Sequence, residues 1–168
     1  LAQGVHLNAD LPDNPAIVLV AVKPQIMRDA LPTLARLGNG DTTFLSVAAG
    51  ITIATFEEML GDKTPVIRSI PNTPAAVKQG ITAIIGNAKV TEAQLQMAET
   101  LLSAIGQTVR LETEDQMDAV TGLSGSGPAY VFHMIECLAR AGEAQGLDPE
   151  LAMTLAKATV AGSGTLAM

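Results

Sequence analysis

Ile17-Val18-Leu19-Val20-Ala21-Val22-Lys23-Pro24 decides the fold class. From Ile17 to Val22 every residue is apolar and most are β-branched, so neither face of the segment is polar. That pattern belongs to a strand buried on both sides, as strands of parallel sheets are. Pro24 has no N–H to offer a ladder and closes it. Downstream, Ile26, Ala30, Leu34 and Leu37 recur at helical spacing within 25–37, and Gly38-Asn39-Gly40 stops that helix. Thr43–Val47 reads as the next strand, ended by Ala48-Ala49-Gly50, and Thr52–Leu60 as a short helix. Pro65–Ile70 is a strand ended by Pro71-Asn72-Thr73-Pro74, Ile81–Ile85 another, Thr91–Ile105 an amphipathic helix and Gln107–Leu111 a last strand. Strands alternating with helices through short links predict a mainly parallel sheet covered on both faces.

Beyond Glu112 the strand signal stops. Asp115–Val120, Tyr130–Gln145 and Pro149–Met168 are helical patterns rich in Ala, Leu and Met, with Asp148 as N-cap and Pro149 at the first helical position. The expectation is therefore α/β followed by all-α, divided into 1–112 and 113–168 without a Gly- or Ser-rich linker.

The chain has 168 residues, a net charge of −7, 48% hydrophobic and 16% charged residues, a composition that excludes intrinsic disorder. An acidic chain with 2% aromatics lacks both the basic field and the stacking platforms of nucleic-acid binding. The single Cys137 rules out an internal disulfide and a Cys-built metal site. Mean hydropathy is positive, yet the longest apolar runs are strand-sized, far short of the roughly 20 residues of a spanning helix. These features predict a reduced, cytoplasmic protein without membrane or nucleic-acid partners, whose surplus apolar surface is covered at a subunit interface. Leu1 stands where an initiator Met is expected, and Gly162–Met168 stops inside a helical pattern, so sequence is expected to be missing at both ends.

In open parallel sheets, ligands bind beyond the carboxyl ends of the strands. Three such ends carry small or rigid residues: Ala21-Val22-Lys23-Pro24, Val47-Ala48-Ala49-Gly50 and Pro71-Asn72-Thr73-Pro74. Each alone is an ordinary turn; three in succession on one rim form a cleft into which a flat ligand can approach the backbone. Lys23 could face an anion or simply be solvated. No G-x-G-x-x-G precedes Ile17, as a dinucleotide fold would require. The glycine-dense Gly122-Leu123-Ser124-Gly125-Ser126-Gly127-Pro128 lies between helices, where it serves either close helix packing or anion binding by backbone N–H groups.

Other candidates carry little. His133 reads as a packed histidine on an apolar helix, Cys137 as a buried thiol with no basic neighbour, and His6 has no context. Glu112, Glu114, Asp115 and Asp118 cluster at a helix start, which dipole complementarity explains. No Ser-His-Asp set, zinc spacing or P-loop is present.

Four motifs, taken in order and spacing, resemble pyrroline-5-carboxylate reductase. They are Val20-Ala21-Val22-Lys23-Pro24-Gln25; Ala48-Ala49-Gly50-Ile51; Arg68-Ser69-Ile70-Pro71-Asn72-Thr73-Pro74; and Asp118 through Gly122-Leu123-Ser124-Gly125-Ser126-Gly127-Pro128 to Tyr130. The resemblance implies an oxidoreductase that reduces the cyclic imine 1-pyrroline-5-carboxylate to L-proline, the last step of proline biosynthesis, with NADPH or NADH as hydride donor. It implies a Rossmann-like domain, here partial, and a helical dimerisation domain that interlocks two subunits into a homodimer or higher oligomer. It places Ala21, Val22, Lys23 and Pro24 against the dinucleotide, Val47, Ala48 and Ala49 beside the nicotinamide, Pro71 and Asn72 near the same rim, and Glu114 near the active site at the domain junction, all as cofactor-binding residues. The family's Gly-rich loop is expected before Leu1 and its substrate loop after Met168. No catalytic side chain and no metal ligand are therefore assigned, and the 168-residue chain is expected to be inactive by itself. Two other oxidoreductase types share the layout, β-hydroxyacid dehydrogenases and deazaflavin-linked NADP reductases. The first needs a Lys at the Gly-rich helix start, where Ser126, Gly127 and Pro128 stand. A non-catalytic oligomerising module is the alternative from outside enzymes.

Overall fold

A computed structural model describes residues 12–168; residues 1–11, with His6 and the opening Leu1–Val5, lie outside the described residues. The strands are β1 (Ile17–Val20), β2 (Thr43–Ser46), β3 (Val66–Ile70), β4 (Gly80–Gly86) and β5 (Gly106–Arg110), in the sheet order β1-β2-β3-β4-β5. β1, β2 and β3 run parallel, as does β5 with β4, whereas β4 is antiparallel to β3. The mainly parallel sheet is thus as expected, and the one reversal has a physical cause. Segment 71–79 holds only the 3-10 turn Thr73–Val77 and is shorter than the roughly dozen residues that a parallel crossover needs.

Every residue of β2 and β3 is buried. Their alternate side chains feed two core layers: Phe44 and Val66 join Met27, Leu31, Phe56 and Leu60 on one face, while Leu45 and Ile67 join Ile84, Ala98 and Leu102 on the other. The first layer is closed by segment 24–37 and α2 (Ile53–Leu60), the second by α3 (Glu92–Leu102). Segment 25–37 is not the single helix that its periodicity predicts. It divides into 3-10 turns at Pro24–Ile26 and Leu31–Leu37 around one α turn, α1 (Met27–Ala30). Pro32 lies inside and cannot donate a helical hydrogen bond, and 3-10 winding shifts the buried stripe to Met27, Leu31 and Leu37, leaving Ile26 exposed. The other helices start on local chemistry. Thr52 accepts from the Thr55 N–H, and Thr91 with Gln94 makes a reciprocal capping box.

After β5 the chain is helical: α4 (Gln116–Val120), α5 (Gly127–Ala144) and α6 (Pro149–Leu166). The Gly-rich stretch between α4 and α5 is not a loop but a π-helical turn, Thr121–Gly125, in which the Ser126 N–H donates to the Thr121 carbonyl at 2.8 Å. The Thr121 and Ser124 hydroxyls donate back to the carbonyls of Met117 and Val120, and such bonds widen a helical turn. A Cβ on Gly122 or Gly127 would meet nothing within 4 Å, so the chain does not pack closely on itself at those positions. The Ser126 N–H serves the helix, and the anion-binding reading gains no support there.

Asp148 caps α6 as expected, taking the N–H groups of Glu150 and Leu151. α5 and α6 meet through small residues, with Ala139, Ala152 and Ala156 buried. Many of their other apolar side chains, among them Tyr130, Phe132, Met134, Leu138, Leu151 and Leu155, are exposed. His133 and Cys137 lie on that open side and are exposed, contrary to the packed histidine and buried thiol expected, because α5 buries only the side that faces α6. Among the described residues no helix is long and apolar enough to cross a membrane.

Candidate functional site

Parallel register levels the ends of the first three strands: Val20 pairs with Ser46, and Ser46 with Arg68. The segments that follow, 21–24, 47–50 and 71–72, therefore leave the sheet on one side. Ala21, Lys23, Pro24 and Ala49 are exposed there, Val22, Val47, Pro71 and Asn72 half-buried, and Ala48 buried. Gly50 turns with a φ of 74°, and a Cβ built on it would meet nothing within 4 Å. Open space thus borders the main chain of the β2–α2 loop, as a flat ring requires.

Hydrogen bonds hold this rim in shape. The Ala48 N–H donates to Ser46 Oγ at 3.2 Å, and Ser69 Oγ–H donates to the Ser46 carbonyl at 2.8 Å. Asn72 accepts the Ile81 N–H on Oδ1 at 3.0 Å and donates from Nδ2 to the Ser124 carbonyl at 3.2 Å. It thereby joins β4 to the π turn. Glu114, from the link between β5 and α4, accepts on Oε1 both the Ile53 N–H at 2.8 Å and an Arg68 guanidinium N–H. Gly50, Thr52, Arg68, Glu114, Asp115 and Asp118 line a cavity of about 280 Å³. Glu114 is therefore part of an ion pair as well as a helix-start carboxylate. The structure brings together all three strand ends, with Glu114 under the β2–α2 loop. No group of His, Cys, Asp and Glu arranged to hold a metal is found among the described residues.

Residues 114–168 match the family model for pyrroline-5-carboxylate reductase dimerisation. The pyrroline-5-carboxylate reductase of Pseudomonas aeruginosa is 41% identical over 98% of this chain and 60% of its own length. Over nearly all its length this chain is similar to pyrroline-5-carboxylate reductases. The solved structure of the Coxiella burnetii reductase superposes with a TM-score of 0.88 at 35% identity, over 92% of this chain and 58% of that one. The Plasmodium falciparum reductase, solved with NADP bound, gives 0.82 at 31% identity, over 90% and 57%. The chain thus spans about 60% of the length of the relatives it matches.

Arg68 is the residue that sequence reading passed over. In Val66-Ile67-Arg68-Ser69-Ile70 it is a charge inside a strand buried throughout, and its side chain is only 7% exposed. The signal was present, since a buried Arg is kept only with a partner. The partner, 46 residues away at the far side of three elements, was not legible.

Proposed function

We propose that the complete protein reduces 1-pyrroline-5-carboxylate to L-proline with NADPH or NADH. The reading is carried by the likeness to the Plasmodium falciparum reductase, solved with NADP bound, at 31% identity across nine-tenths of this chain. Residues 1–112 form the dinucleotide-binding part, and residues 113–168 the helical part through which two copies join as a homodimer or within a larger oligomer. The cytoplasm is the compartment proposed for it, in keeping with a chain that carries a single cysteine.

When bound, reduced nicotinamide would supply a hydride to the carbon of an imine already protonated on nitrogen, and the two together give the amine. The chain's part is position and shape. Ala21, Val22, Lys23 and Pro24 follow β1 along the dinucleotide, with Lys23 offering positive charge to a phosphate. Val47, Ala48 and Ala49 give the ring a wall without bulky side chains, and Pro71 and Asn72 close the same rim. Holding the ring at reacting distance from the imine carbon supplies much of the rate by orientation alone.

The test is NADPH oxidation by the complete protein with pyrroline-5-carboxylate, beside a β-hydroxyacid control run in the oxidative direction. Turnover with the imine alone supports the reading; turnover with the hydroxyacid alone, or with neither, overturns it.

A further inference from the structure

Two consecutive residues of β3 take hold of opposite ends of the β2–α2 loop. At the near end Ser69 Oγ–H donates to the Ser46 carbonyl at 2.8 Å, and Ser46 Oγ in turn accepts the Ala48 N–H at 3.2 Å. At the far end Arg68 Nη1 donates to Glu114 Oε1, which also accepts the Ile53 N–H at the start of α2 at 2.8 Å. The loop between these anchors, residues 47–52, carries Val47, Ala48 and Ala49, the wall assigned above to the nicotinamide. Both bonds of Glu114 fall on one oxygen, so the guanidinium and the α2 amide share a single joint. Arg68 is almost fully buried, whereas the Glu114 side chain is 31% exposed, so the fixed half of the joint is the arginine.

We infer that Arg68 is a positioning residue for dinucleotide binding: through Glu114 it fixes the first turn of α2 and holds loop 47–52 in its binding conformation before the cofactor arrives. The inference rests on the functional reading above. Its physical basis is preorganisation, since a loop already ordered loses little further freedom on binding. Arg68 is not among the residues assigned to the ring wall, so it acts through Glu114 and the loop. A buried Arg–Glu pair that served only to hold the fold would leave affinity alone once the protein was folded.

The experiment compares the complete protein with Arg68→Met, Glu114→Ala, the double variant and Arg68→Lys. NADPH affinity is measured by fluorescence titration, and amide exchange is followed at Ile53 and, as a core reference, at Phe44. Losing the joint is expected to raise the NADPH Kd about tenfold in Arg68→Met, the size of one charge-assisted hydrogen bond. kcat at saturating NADPH stays within about twofold, because the loss is one of binding. Ile53 exchange accelerates while Phe44 does not. Arg68→Lys, which keeps the charge, recovers part of the affinity, and the double variant is no worse than Arg68→Met because both act on one joint.

A folded Arg68→Met with unchanged NADPH affinity overturns the inference, as does one in which Ile53 exchange is unchanged or rises only in step with Phe44. If Arg68→Met does not fold, Glu114→Ala removes the same joint from its more exposed side and is judged by the same two readouts. A wild type that binds neither NADPH nor NADH overturns the functional reading instead. Ile53 exchange then decides the clamp alone, which stands if protection is lost selectively and falls if it is not.

Discussion

Asn72 spends its whole amide on the backbone, accepting from the Ile81 N–H and donating to the Ser124 carbonyl. Its replacement by alanine leaves one half-buried donor and one acceptor without partners. Asn72→Ala is expected to cost roughly 1 kcal/mol or somewhat more, measured as a lower urea midpoint at unchanged slope. Ala49 makes the opposite case, an exposed small residue beside open space. Ala49→Trp is expected to keep the wild-type urea midpoint and to raise the NADPH Kd by at least about tenfold, since an indole would occupy the place of the ring. Unchanged affinity in a nucleotide titration would show that the rim is not the binding wall. The two residues also mark what was legible at this scale. Small side chains at strand ends stand out in sequence, whereas the two hydrogen bonds of Asn72 depend on the π turn lying beside β4, which no local pattern announces.

Among the elements, α3 is tied to the edge strand β5 by Arg110. Its guanidinium bonds Glu99 at 2.6 and 2.8 Å and Glu92 through two bonds of 2.8 Å. Hydrogen bonds from Arg110 hold both carboxyls below the usual carboxylate range, and the two glutamates raise the guanidinium further. Because the folded values of the carboxylates are depressed, the stabilisation is complete above their ordinary values and is lost as pH falls through the depressed ones. Glu92 and Arg110 are exposed and Glu99 is half-buried, so screening keeps the effect small. Arg110→Ala is expected to lower the urea midpoint slightly at about pH 7, a difference that fades in acid and in about 1 M salt. A gap between wild type and variant that widens in acid would contradict this linkage. The start of the same helix was readable from Thr91 and Gln94, three residues apart, because a capping box is made within one turn. Segment 25–37 was misread for a related reason: its spacing suits a helix, but Pro24 and Pro32 leave only one α turn between them.

For the molecule as a whole, the open question of cover lies on α5 and α6. Phe132 is 59% exposed and Tyr130 61%, and Phe132, Ile135, Glu136, Met153 and Lys157 line a groove of about 430 Å³ between the two helices. If a second copy covers this face, Phe132→Asp is expected to shift the complete protein to a lower-mass species in sedimentation, with the circular dichroism of the sheet and helices retained. Wild type that sediments as a monomer at micromolar concentration would remove the homodimer from the proposal. The burial on both faces expected of Ile17–Val22 falls instead on β2 and β3, because β1 lies at the edge of the described sheet with Leu19 exposed. The sequence by itself determined the alternation of strands and helices, the change to an all-helical region after β5 and the cap at Asp148. Each of these is set by residues within a turn or two of one another. Only the tertiary structure decided that β4 runs against β3, that the Gly-rich stretch winds as a π turn, that His133 and Cys137 lie open, and that Glu114 answers Arg68. Those outcomes depend on which distant segments the sheet brings side by side, and a buried charge takes its partner from whatever the fold places within reach.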